Sequence, residues 1–134
     1  MLDNQNLTKL TVCIDLDGVL AEYDGWRGVE HIGDHIPGAI NFVNNLAEKY
    51  RIVIHTTRVN PEFHSEHSYA SLKLIVSAWL DKHGFKYNDI QSKPIAVAYV
   101  DDRAVSCRPQ TMFKHSLDVW GDTINDINFL TNTI

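Results

Sequence analysis

Cysteine is scarce in this chain, with two residues in 134, and neither Cys13 nor Cys107 has a near neighbour to pair with. Cys13 falls in a predicted strand and Cys107 just beyond another, so both read as reduced packing residues rather than a disulfide, which suits the cytoplasm. Long apolar runs are missing too, so no segment approaches membrane-spanning length. The opening Met1-Leu2-Asp3-Asn4-Gln5-Asn6 is polar and lacks the basic-then-apolar order of a secretory signal. Positive charge is in deficit: 12 Lys and Arg against 17 Asp and Glu leave a net charge of −5. That argues against general attraction to nucleic acid or to an anionic membrane surface. There is no internal repeat, low-complexity tract or interdomain linker. What remains is 44% hydrophobic and 22% charged, the composition of an ordinary globular protein. The length, residues 1–134, suits a single domain with one core.

The apolar pattern alternates between strand and helix. Leu10-Thr11-Val12-Cys13-Ile14 is short, continuous and rich in β-branched residues, as a buried strand is. Residues 21–36, rich in Gly, Asp and His, read as an irregular loop. Pro37 can open a helix in which Ala39, Ile40, Phe42, Val43, Leu46 and Ala47 recur at helical spacing. Arg51 to Thr56 is a second strand. A polar stretch, 58–68, leads to a helix over about 69–83 with Leu72, Ile75, Val76, Trp79 and Leu80, ended by Gly84. Residues 85–91 suit a short edge strand, 95–101 a further strand, and about 117–131 a closing helix. This order predicts an α/β fold, a doubly wound parallel sheet of Rossmann-like type. Right-handed crossovers would bring Asp15, Thr56 and Asp101 to one edge of it.

That edge is where the chemistry gathers. Asp15 and Asp17 follow the first strand, two residues apart, so their side chains share a side at roughly 7 Å, while Gly18 lets the chain turn away. Asp101-Asp102 ends the run Ile95-Ala96-Val97-Ala98-Tyr99-Val100. In parallel sheets the carboxyl ends of strands share the edge where ligands bind. Four carboxylates there would repel by about 4 kcal/mol per close pair at a moderate effective dielectric. A bound divalent cation is the simplest remedy. Arg58, Lys93, Arg103 and Arg108 lie near enough in sequence to add local phosphate recognition.

Asp15-Leu16-Asp17-Gly18-Val19-Leu20, then Thr56, a downstream lysine, and Tyr99-Val100-Asp101-Asp102-Arg103 together resemble the haloacid dehalogenase superfamily of phosphohydrolases. The likeness covers about residues 10–105. Its closing motif is similar to small magnesium-dependent phosphatases and to the phosphatase domains of polynucleotide kinase-phosphatases. The resemblance implies Asp15 as nucleophile and Asp17 as general acid/base. It implies Mg²⁺ held by Asp15, the main-chain carbonyl of Asp17, and Asp102, with Asp101 assisting directly or through water. Thr56 would hydrogen-bond the transferring phosphoryl group. The gaps 18–50 and 57–92 leave no room for the cap domain many relatives carry. The chemistry asks for these residue types independently: a carboxylate nucleophile splits ester hydrolysis into two displacements, and phosphoryl transfer needs positioning and charge neutralisation. Mg²⁺ has the hard-oxygen preference to supply the latter. Asp17 would need a pKa above a free aspartate's to carry a proton.

Two lysines compete for the phosphate. Lys93 precedes the final acidic motif, yet if 95–101 is all strand it starts some 20–25 Å from the edge, at about 3.3 Å per residue. It fits if the preceding strand ends at Lys93 and the next is short. Lys73, early in the helix after Thr56, is the alternative. A calcium loop fails because Val19 stands at its third ligand position and Leu20 at its required glycine. Asp pairs also occur in ordinary turns, and a strand-end threonine needs no substrate. Arg58 and Arg103 read as solvated or structural. His31/His35 and His64/His67 have helical spacing but fall in polar loops without cysteine, so they read as loop surface rather than a metal site. His55 should point away from Thr56. The expected function is a Mg²⁺-dependent phosphomonoesterase, with a small phosphorylated substrate expected ahead of a nucleic-acid end. Trp26 and Arg27 in loop 21–36 would form a partial lid, or a second copy of the chain would cover the open site. The alternative is a phosphate-binding or phosphorylatable signalling domain without turnover. A signalling receiver, however, carries its adjacent acidic pair at strand one.

Overall fold

The computed structural model describes residues 9–110 and 118–134. Among the described residues three strands form, β1 (Thr11–Ile14), β2 (Arg51–Thr56) and β3 (Asp89–Ser92), all parallel and in the spatial order β1-β2-β3. The first crossover carries α1 (Ala39–Leu46) and the second α2 (Tyr69–His83); α3 (Val119–Thr131) follows later. The chain is thus a small α/β domain with a parallel sheet. Residue 117, the expected start of the last helix, and the opening segment 1–6 lie outside the described residues.

Each helix forms for a visible reason. Ser68 accepts a hydrogen bond from the Ser71 N–H at the start of α2, and Gly84 at φ +82° lets the chain leave its end. Along α1, Ala39, Phe42, Val43 and Leu46 recur at helical spacing and are buried; along α2, Leu72, Val76, Trp79 and Leu80 do the same. They pack on Ile14, Ile52, Ile54 and Ile90, the inward-facing residues of the three strands. α3 joins this core through Ile127 and through Trp120, whose ring meets Phe42 at 4.8 Å. The opposite face of the sheet carries Thr11, Cys13, Arg51, Val53, His55, Asp89 and Gln91, and there Val53 alone is buried. Cys13 is therefore exposed rather than packed.

The expected strand at 95–101 does not form. Val97 and Val100 are fully exposed, and Ile95 and Tyr99 are about half exposed. β-branched composition suits a strand only when a partner and a face to pack on are present, and among the described residues these find neither. The following turn is anchored elsewhere: Arg103 donates to the Leu130 carbonyl at 2.6 Å and to Thr133 Oγ1 at 3.1 Å, at the end of α3.

Ile54→Ala, which empties space in the core, is expected to cost about 2–5 kcal/mol. Val97→Lys and Val100→Lys should each change stability by less than about 0.5 kcal/mol. Urea unfolding measures all three, and a loss above ~2 kcal/mol at Val100 would show that residues 95–101 are buried as a strand after all.

Candidate active site

β1, β2 and β3 end on one edge, since Ile14 is level with Ile54, and Thr56 with Ser92. The residues that follow each strand end therefore meet. After β1 the Leu16 carbonyl accepts from the N–H groups of Val19, Leu20 and Ala21, a tight turn made possible by Gly18 at φ +81°. This turn holds Asp15 and Asp17 at the edge. Asp15 Oδ1 accepts from the Leu16 N–H at 2.8 Å, and Lys93 Nζ lies 3.6 Å from Asp15 Oδ2. β3 ends at Ser92, and the missing strand beyond it removes the geometric objection to Lys93. Asn60 fixes that turn by donating to the Lys93 carbonyl at 3.2 Å, and the Lys93 ammonium sits 4.1 Å from the Tyr99 ring centre. Lys73 points elsewhere, pairing with Asp89 at 3.3 Å beside the Tyr69 ring.

Of the two readings of Arg58, solvated or structural, the contacts support the second. It is 4% exposed, not solvated, and grips Asp17 with two parallel bonds, Nε to Oδ2 at 2.7 Å and Nη2 to Oδ1 at 3.0 Å. Such forked pairs are among the stronger polar contacts. Arg58 is aimed by a short 3₁₀ turn, Thr57–Val59, that Thr56 caps: its Oγ1 accepts from the Arg58 N–H at 3.1 Å. Thr56 itself is 1% exposed, at the end of β2. The Trp26 ring lies over the guanidinium at 5.0 Å and stacks on His64 at 5.1 Å. Loop 21–36 thus reaches over the Asp17 side of the site through Trp26, whereas Arg27 turns to Asp24 at 2.8 Å. Sequence offered no signal for the Arg58–Asp17 contact beyond the arginine's nearness to Thr56.

Charge at the edge is unevenly compensated. Burial pushes the Asp15 carboxyl above its ordinary value of 3.8, and the Asp17 charge adds to this, against the lowering influence of Lys93 and the Leu16 N–H. His55, on the face away from Thr56, is held below its ordinary 6.5, first by burial and then by the Lys93 charge, with Asp15 opposing.

Asp101 and Asp102 are not brought to this edge. Both are exposed, and Asp101 Oδ1 caps the N–H of Arg103, which is tied to the end of α3. That end of α3 also meets Tyr50, whose hydroxyl lies 2.9 Å from Thr131 Oγ1, at the start of β2 and so at the opposite edge of the sheet. The reason is the absent strand: nothing carries the pair alongside β1. The spaced histidine pairs do not assemble either. His64 stacks on Trp26, and His35 meets His83 rather than His31.

No family model matches the chain, and no curated protein matches it. Among the described residues, no helix is long and apolar enough to cross a membrane. Two solved structures are similar. A D,D-heptose 1,7-bisphosphate phosphatase from B. bronchiseptica, solved with magnesium and phosphate, aligns with TM-score 0.47 and 18% identity over 74% of this chain; the chain spans 55% of that protein's length. A structural-genomics target from Vibrio cholerae aligns with TM-score 0.61 and 25% identity, over 87% of this chain and 97% of that one. The Vibrio likeness extends over nearly the whole of both chains, and the α/β parallel-sheet fold is common to them.

Proposed function

We propose that the protein is a Mg²⁺-dependent phosphomonoesterase of the haloacid dehalogenase type, without a cap domain, that works through an aspartyl-phosphate. The observation that carries this reading is the meeting of Asp15, Asp17, Thr56 and Lys93 at one strand-end edge, with Lys93 Nζ 3.6 Å from Asp15 Oδ2. In the first step an Asp15 oxygen attacks phosphorus, the ester P–O bond breaks, and the leaving oxygen takes a proton from Asp17. In the second, Asp17 takes a proton from water, whose oxygen attacks the aspartyl-phosphate and frees Asp15. Thr56 and Lys93 hold the phosphoryl oxygens. Both oxygens of Asp17 are engaged by Arg58. Protonation of Asp17 for the acid step would remove one acceptor from that fork, leaving Arg58 its second Asp17 oxygen and the Val29 carbonyl.

The donors at the edge are hard oxygens, the Asp15 carboxylate and the Asp17 carbonyl, and they fit Mg²⁺, which commonly uses one or two carboxylates with waters and substrate phosphate. The ion would screen phosphate charge from the Asp15 anion. The substrate in this reading is a small phosphate ester, supported by the net charge of −5 and by Trp26 over Arg58. A second copy of the chain would be the other means of covering the open site, whose Lys93 side is flanked by the half-exposed Tyr99. Free Cys13 and Cys107 suit a cytoplasmic setting.

Asp15→Asn should reduce turnover of phosphate esters at least ~1000-fold, as losses at catalytic nucleophiles do, and remove Mg²⁺-dependent phosphate release. Wild-type protein that becomes phosphorylated on Asp15 without releasing phosphate would instead be a signalling domain. The same variant has a stability signature. A carboxyl whose folded pKa is raised binds more protons folded than unfolded, so it weakens the fold as pH rises above 3.8 through the folded value. Asp15→Asn should therefore melt higher than wild type at neutral pH without metal, with the difference vanishing below pH 3.8.

Lys93→Ala should lose far more activity than Lys73→Ala, assayed side by side. Asp102→Ala should leave the Mg²⁺ requirement within about twofold, as its place beside α3 demands. A tenfold rise, about 1.4 kcal/mol, would mean that segment 95–110 lies along β1 in solution.

A further inference from the structure

A second group of ligating atoms converges where loop 21–36 meets the end of α2. His83 is the last residue of α2, and its Nδ1 lies 3.3 Å from His35 Nδ1, across 48 positions of sequence. His35 Nδ1 in turn lies 3.2 Å from Asp34 Oδ1. The three atoms all fall within 4.8 Å of one another. Two imidazole nitrogens that face each other need something between them: a shared proton joins one pair, whereas a cation joins all three groups.

The spacing suits a particular class of cation. Tetrahedral zinc with nitrogen or oxygen ligands at about 2.0–2.1 Å sets neighbouring donor atoms about 3.3 Å apart. The observed 3.3 and 3.2 Å are those edges. Imidazole nitrogens favour zinc, cobalt or nickel over magnesium, which takes oxygen. Exposure also fits, since the His35 side chain is 40% and the Asp34 side chain 72% exposed, leaving a fourth position open to water.

The backbone on both sides is already fixed. The Glu22 N–H donates to the Asp34 carbonyl and the Ile36 N–H to the Leu20 carbonyl, both at 2.8 Å, and Ala21 bridges to His35. On the helix side, the Trp79 indole donates to the Gly33 carbonyl at 3.0 Å and its ring packs against His83 at 4.5 Å. Little ordering would remain for the ion to impose. We propose that Asp34, His35 and His83 form a site for a divalent transition ion of the zinc class, which pins loop 21–36 to α2. The same Ala21 bridges to Asp17 as well as to His35, so an ion here would stiffen the turn that carries Asp17. The site itself does not depend on the phosphatase reading.

The test uses the tag-free chain in excess Mg²⁺, which occupies oxygen sites, titrated with Co²⁺ as an optical probe. One equivalent should give the intense visible bands of a tetrahedral ion and be displaced by Zn²⁺. His83→Ala and Asp34→Asn should each weaken binding at least ~100-fold, at or beyond the top of the range for loss of an outer-shell partner. His31→Ala and His67→Ala should bind as wild type does. Asp34 is exposed, so its variant folds even where His83→Ala loses its packing on Trp79; circular dichroism checks both. Absence of the bands in wild type, or their retention in folded Asp34→Asn and His83→Ala, overturns the proposal.

Discussion

The fork between Arg58 and Asp17 is the contact on which the rest of the site depends. A guanidinium that is 4% exposed is tolerated only with a fully matched partner, because leaving it unpaired costs several kcal/mol. The pair meets that demand and joins three parts of the chain: the turn after β1, the 3₁₀ turn after β2, and loop 21–36 through Trp26 and the Val29 carbonyl. Arg58 can reach Asp17 because Thr56 caps the turn that aims it. Geometry at the edge is thus set by one cation and one hydroxyl. Breaking the fork would strand a buried charge as well as free an acid.

Lys93 and Arg58 divide the work of compensation. Each serves one aspartate, Lys93 at 3.6 Å from Asp15 and Arg58 at 2.7 Å from Asp17. The looser pair leaves Asp15 partly uncompensated, and burial raises its proton affinity. That is a destabilised group held in place by its surroundings. The tighter pair keeps Asp17 in one orientation.

Much of this was legible in the sequence, and the limits have physical causes. α1 and α2 announce themselves through apolar spacing, and Ser68 and Gly84 mark the ends of α2 by local geometry that needs no tertiary context. Asp15, Asp17 and Thr56 could be placed because strand ends share an edge by topology alone. Residues 95–101 could not be placed: Val97 and Val100 have strand character, but pairing is a property of two segments and among the described residues no strand lies alongside them. Cys13 misled in the same way: its place in a parallel strand suggested packing, but among the described residues little covers the face it is on. Arg58–Asp17 and His35–His83 are contacts across 41 and 48 positions that no local pattern encodes.

The spatial order β1-β2-β3 repeats the order along the chain, and this governs how the fold is reached. Each strand pairs with the one made just before it, so every loop to be closed is a single crossover and no strand must wait for a distant partner. Such an arrangement keeps sequence separation between contacts low for a parallel sheet, which favours rapid folding. It also permits assembly in the direction of synthesis, with β1, α1 and β2 docked before α2 and β3 emerge. The acidic turn after β1 is then made early, and its charge is first relieved when Arg58 arrives directly behind β2. Lys93 closes the edge last.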